Sequence, residues 1–114
     1  MNISFEGIGQ WAATFSCADV REGELVKVSG NGAVGPCGEG ESFCGQVISM
    51  GKGGDACAVQ LGGFVTAGFT GNAPGLGWCG LSGDGDGGVK TDPEGRKYLV
   101  AEVDADASTA TFAL

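Results

Sequence analysis

Asp84-Gly85-Asp86 comes closer than any other stretch of this chain to a spacing that could bind a ligand. Carboxylates two positions apart on a glycine loop can converge on Ca²⁺, which takes about six to eight oxygen ligands. Two side chains are too few, and the calcium-loop pattern with its terminal glutamate is absent. Asp84 and Asp86 therefore stand as a weak cation candidate, with a solvated loop as the simpler reading. Asp104 and Asp106 repeat the spacing and read the same way. Gly51-Lys52-Gly53-Gly54 lacks the glycine spacing and the following Ser or Thr of a phosphate-binding loop, and reads as a surface turn.

The chain has no histidine. That removes Ser-His-Asp and Cys-His catalysis and every imidazole metal site. Cysteine, carboxylate and lysine chemistry remain open in principle, but no paired arrangement supports them. The expectation is a protein that is not an enzyme, with no catalytic residue and no cofactor. The five cysteines, Cys17, Cys37, Cys44, Cys57 and Cys79, are odd in number and form no Cys-x-x-Cys. Most sit in or beside apolar runs, so they read as small buried hydrophobes with free thiols, as expected of a reducing compartment.

Elements that position these residues must be short and extended. The 114 residues, one domain's worth, include 24 glycines and three prolines. The glycines fall between short apolar runs, where they permit tight turns. Trp11 to Cys17 reads as a first strand and Leu25 to Ser29 as a second. Asn31-Gly32 reads as a hairpin turn into a very short strand at Ala33-Val34, and Pro36 argues against a central strand beyond it. Further strands are expected over 43–50, with both faces partly covered, and over 56–61, with Cys57, Val59 and Leu61 on one side. Others follow over 64–69, 76–81, 89–91, 97–104 and 109–114. In the 97–104 strand Leu99, Ala101 and Val103 should face one way, and Tyr98, Val100 and Glu102 the other. No segment reads as a helix. The fold class is all-β: a compact small barrel or sandwich of about eight to ten short antiparallel strands with glycine-rich turns. Residues 1–18 form an N-terminal strand or interface arm, and 19–114 a single β-domain.

Fourteen acidic residues face six basic ones, a net charge of −8. Nonspecific nucleic-acid binding needs clustered Lys and Arg, so no nucleic-acid partner is expected. The beginning of the chain lacks a basic region followed by a long apolar run, so no secretory leader is expected. No stretch has the length of a membrane-spanning helix, so no membrane partner is expected. Large aromatics favour interfaces, which makes Trp11, Phe15, Phe69 and Trp78 the interface candidates. Trp78 also reads as core, because Leu76 and Leu81 accompany it; Phe112 and Leu114 read as core.

Several segments carry a resemblance over roughly residues 19–114. They are Glu22-Gly23 before Leu25-Val26-Lys27-Val28, Phe43-Cys44-Gly45-Gln46-Val47 before a glycine turn, and Val59-Gln60-Leu61-Gly62-Gly63-Phe64-Val65. Gly75-Leu76-Gly77 and Gly88-Val89-Lys90 follow, then Val100 through Leu114 as a strand, an acidic turn and a final strand. This pattern resembles the small head decoration, or capsid cement, proteins of tailed bacteriophages and prophages. The resemblance implies a compact β-domain, homo-oligomeric with a trimer favoured. It would bind the major capsid protein on the virion head surface after synthesis in the bacterial host cytoplasm. The alternatives are another structural β-module of a viral tail, fibre or surface assembly, or a small ligand- or glycan-binding module.

Overall fold

The computed structural model describes residues 10–114, and every described element is a β-strand. The first five are β1 (Trp11–Cys17), β2 (Leu25–Gly30), β3 (Ala33–Pro36), β4 (Gly45–Met50) and β5 (Ala56–Gly62). The second five are β6 (Phe64–Gly68), β7 (Gly77–Gly83), β8 (Val89–Thr91), β9 (Arg96–Asp104) and β10 (Thr109–Ala113). Among the described residues no helix is long and apolar enough to cross a membrane.

The strands divide into two bodies. β1, β3, β2, β4 and β5 form a closed barrel in that order, with β5 returning to β1. All its pairings are antiparallel except β1 with β3. Asn31-Gly32 makes the expected hairpin between β2 and β3, with Gly32 at φ +65° as such a turn requires. Pro36 falls inside β3, one residue pair beyond the expected end, opposite Val26. It is tolerated because β1 reaches only Ala33 and Val34, so no strand on that side needs the missing N–H. β6, β10, β9, β7 and β8 form an antiparallel sheet in that order. A parallel bridge from Phe69 to Val89 draws its two ends together.

Each body has its own core. Cys17, Val20, Val26, Val34, Val47, Cys57 and Val59 fill the barrel. The second core combines Val65, Leu81, Val89, Tyr98, Val100 and Phe112 with Leu25, Cys37 and Phe43. Phe43 and Tyr98 stack with ring centroids 4.9 Å apart, and Phe112 meets both edge-on at 5.7 and 5.5 Å. Alternation on β2 explains how one strand serves both cores: Val26 points into the barrel and Leu25 out of it.

Two buried glutamines join the bodies. Gln46 and Gln60 lie opposite each other on β4 and β5, pointing out of the barrel toward β6. The Gln46 amide donates to the carbonyls of Gly23 at 3.0 Å and Thr66 at 2.8 Å. The Gln60 amide donates to Gly62 at 2.9 Å and Phe64 at 3.0 Å. Residues 63 and 69 bond toward β10's side of the sheet, so by antiparallel alternation the carbonyls of Phe64 and Thr66 point away from it. The two amides satisfy what would otherwise be an open edge.

Two expectations are corrected. Trp78 is not core: it is 71% exposed, and so is Leu76. Leu81 takes the inward parity of β7 with Cys79, which leaves Trp78 on the outer face. On β9 the strict alternation breaks. Val100 pairs with Phe112 but Glu102 pairs with Thr111, so Ala101 is an extra, bulged residue. Tyr98 and Val100 are buried, and beyond the bulge Val103 rather than Glu102 turns to the core.

Replacing Gln46 by Ala removes the donor to Thr66 and Gly23 and leaves both carbonyls short of a partner. The expected loss is about 1–2 kcal/mol of unfolding free energy, read from urea denaturation. A loss below about 0.5 kcal/mol would show that water replaces the amide at no cost.

Candidate functional site

The Asp84 loop follows from local chemistry. β7 ends at Gly83 and β8 starts at Val89, so five residues must reverse the chain. Asp84 Oδ1 accepts from the amides of Asp86 at 2.7 Å and Gly88 at 3.0 Å, and Oδ2 accepts from the Thr70 hydroxyl at 2.7 Å. The carboxylate is thus a clasp that closes its own loop and ties it to the segment after β6. Asp86 is exposed. Glu22, Glu24, Phe69, Thr70, Asp84 and Asp86 line an open groove of about 430 Å³. The structure brings Asp84 and Asp86 together, but Asp84 already spends its oxygens on protein donors. Among the described residues no group of three or more carboxylates and thiols is placed to hold a metal. Asp104 plays a similar part, with Oδ1 accepting from the amides of Asp106 and Ala107 at 3.1 Å each.

The interface candidates separate into two kinds. Phe15 packs against the barrel core and Phe69 against the second core. Trp11 is 60% exposed and Trp78 71%. The Trp11 indole lies over Gly62, where any side chain would collide with it. Gly63, at φ +87°, makes the corner that turns β5 into β6 beside Gln10. The remainder of the expected arm, residues 1–9, lies outside the described residues.

Trp78 belongs to a larger feature. Its cross-strand partner is Leu99, which pairs with Ala113, which pairs with Phe64. These four form one row across β7, β9, β10 and β6 on the outer face of the sheet. Sequence reading missed Leu99 and Ala113 as parts of a surface, because the row exists only once the register is set. The barrel exposes Val28 and Ile48 besides Trp11.

All five cysteines are free thiols, with Cys17, Cys37 and Cys57 buried. Burial, with the Cys17 thiol as hydrogen-bond neighbour, pushes the Cys57 thiol up to about 11. Burial also raises Cys37, Cys44 and Tyr98. Burial thus favours the neutral form of these thiols. On the acidic side, Lys27, 2.6 Å from Glu41, lowers that carboxyl, as the Glu94 amide lowers Asp92.

Three outcomes follow. Asp84→Ala should speed hydrogen exchange at the Asp86 and Gly88 amides and cost about 1–3 kcal/mol of stability; unchanged exchange would remove the clasp role. The unfolded chain loses thiol protons near pH 8.5, before the folded chain does. Stability should therefore be full below about pH 8.5 and fall as pH rises toward 11, with a shallower slope in Cys57→Ala. Urea midpoints that stay level from pH 8 to about 11 would contradict this. The lowered carboxyls act oppositely: their contribution is present above about pH 4 and fades below it.

No family model matches the chain, and no curated protein or solved structure is significantly similar to it.

Proposed function

We propose that the chain is a structural subunit that decorates the outer surface of a phage or prophage head, binding its major capsid protein and stabilising the shell. The observation that carries this reading is the exposure of large apolar side chains on both bodies of the fold. Trp11, Val28 and Ile48 are exposed on the barrel, and Leu76 and Trp78 beside or on the second sheet. A protein that acts by contact with more than one neighbour needs such surfaces, and contacts repeated by symmetry add up to high avidity. The segments that resemble the decoration proteins support it from the sequence side. They fall on β2, β4, the β5–β6 corner, β7, β8 and the β9–β10 hairpin. The net charge of −8 favours a basic partner surface. Synthesis in the host cytoplasm accords with five unpaired thiols.

In this reading the barrel face touches the shell. Purified protein mixed with expanded shells of the parent particle should co-sediment saturably, at a fixed ratio to the capsid protein. The double variant Val28→Ser, Ile48→Ser should bind at least about tenfold more weakly with an unchanged far-ultraviolet spectrum. A second reading rests on the exposed Trp78 ring, which could stack on a sugar. Binding to a glycan array without saturable binding to shells would favour it and defeat the first.

A further inference from the structure

The outer face of the second sheet carries a pattern that fits itself. Its centre is the apolar row Trp78, Leu99 and Ala113. Leu76, in the loop just before β7, is likewise 71% exposed. Charge is placed on either side of this row. Lys97, opposite Gly80, lies two residues from Leu99 on one side. Glu102, opposite Thr111, lies two β10 positions from Ala113 on the other. The Ala101 bulge makes the two spacings equal, roughly 7 Å each in the sheet frame. It also turns Glu102 to the outer face, beside the hydrogen-bonded pair Thr66 and Thr111. Lys97 and Glu102 are both exposed, and neither has an ion-pair partner among the described residues.

We propose that this face binds a second copy of the chain about a two-fold axis running along the apolar row. Such an axis keeps the row in place and exchanges its two flanks. Each Trp78–Leu99 row then meets its equivalent, and each Lys97 faces the partner copy's carboxylate at position 102. The contact is isologous, so one surface serves both copies. It differs from the three-fold arrangement that the resemblance implies, and it does not depend on shell binding. Four strands by about five residues give a face of roughly 19 by 17 Å. That is smaller than the roughly 800 Å² per partner of a standard stable complex, so the pairing is concentration-dependent and in the micromolar range or weaker.

Sedimentation equilibrium of the full chain, from about 1 μM to 1 mM, should show monomer and dimer in exchange. Lys97→Glu and Glu102→Lys, each placing like charges in opposition, should each weaken the dimer at least about tenfold. The double variant carrying both changes should recover the original affinity to within about threefold. Trp78→Ser should abolish pairing while the near-ultraviolet signal of the core aromatics persists. A chain that stays monomeric at 1 mM, a trimer in place of the dimer, or a double variant no better than the single ones would overturn the proposal. Failure of shell binding with an intact dimer would defeat the decoration reading alone.

Discussion

Two side-chain amides tie the first strand of the second sheet to the barrel, beside the backbone bonds that join Leu25 to Gly87 and Gly83 to Gly40 and Glu41. Gln46 and Gln60 each use both amide hydrogens on backbone carbonyls, and one carbonyl of each pair belongs to β6. All four acceptors are carbonyl oxygens, so only the nitrogen end of each amide can face them. The glutamines themselves are 9% and 8% exposed. A buried carbonyl without a donor costs about 1–3 kcal/mol. β6 therefore lies against the barrel where these amides meet it, and together with the backbone bonds at Gly83 and Gly87 they fix how the two bodies sit.

Much else depends on that placement. With β6 fixed, β10 pairs with it, β9 with β10, and the sheet closes over Leu25, Cys37 and Phe43 on the barrel's outside. The Phe43, Tyr98 and Phe112 cluster then draws its rings from both bodies. Close approach between the bodies requires small residues at the contact. A Cβ on Gly83 of β7 would strike the Cys37 thiol and the Gly38 carbonyl beyond β3, and Gly63 carries the positive φ that turns the chain from one body to the other. The glycine content is thus partly an interface requirement inside a single chain. The open strand edges that usually invite association are mostly managed internally: the barrel has none, β6 is capped, and β8 is bridged to Phe69.

The strand pattern was legible because glycine, proline and Asn-Gly mark chain reversals by local chemistry alone. Asn31-Gly32 and the alternation of Cys57, Val59 and Leu61 needed no tertiary information. The failures all involve partners far away in sequence. Gln46 sits in a strand whose alternation looked imperfect; its polarity made sense only with Thr66 nearby. Trp78 looked like core from its neighbours Leu76 and Leu81, yet Leu81 has the opposite parity and claims the inner face. The Ala101 bulge shifted Val103 and Glu102, and no local signal announces it in Leu99-Val100-Ala101-Glu102. For the candidate site, the aspartates at 84 and 86 were visible as a pair. The Thr70 hydroxyl that occupies Asp84 was not, since it lies across the loop from β6.

The charge distribution limits what the protein can touch. Copies bearing −8 repel one another, and at physiological salt that repulsion is screened over about 8 Å. Close contact between them is therefore feasible only through surfaces where carboxylates are few or answered. Glu22, Glu24, Asp84 and Asp86 gather along one groove, and Asp104 and Asp106 occupy the β9–β10 turn. The row from Trp78 to Ala113 has no charge of its own, and the cation and anion beside it are of opposite sign and equal offset. Desolvating that face removes apolar area from water without stranding a carboxylate, whereas covering the groove would bury several. The same sheet that encloses the aromatic core thus presents, on its other side, an apolar surface that can be covered without stranding a carboxylate.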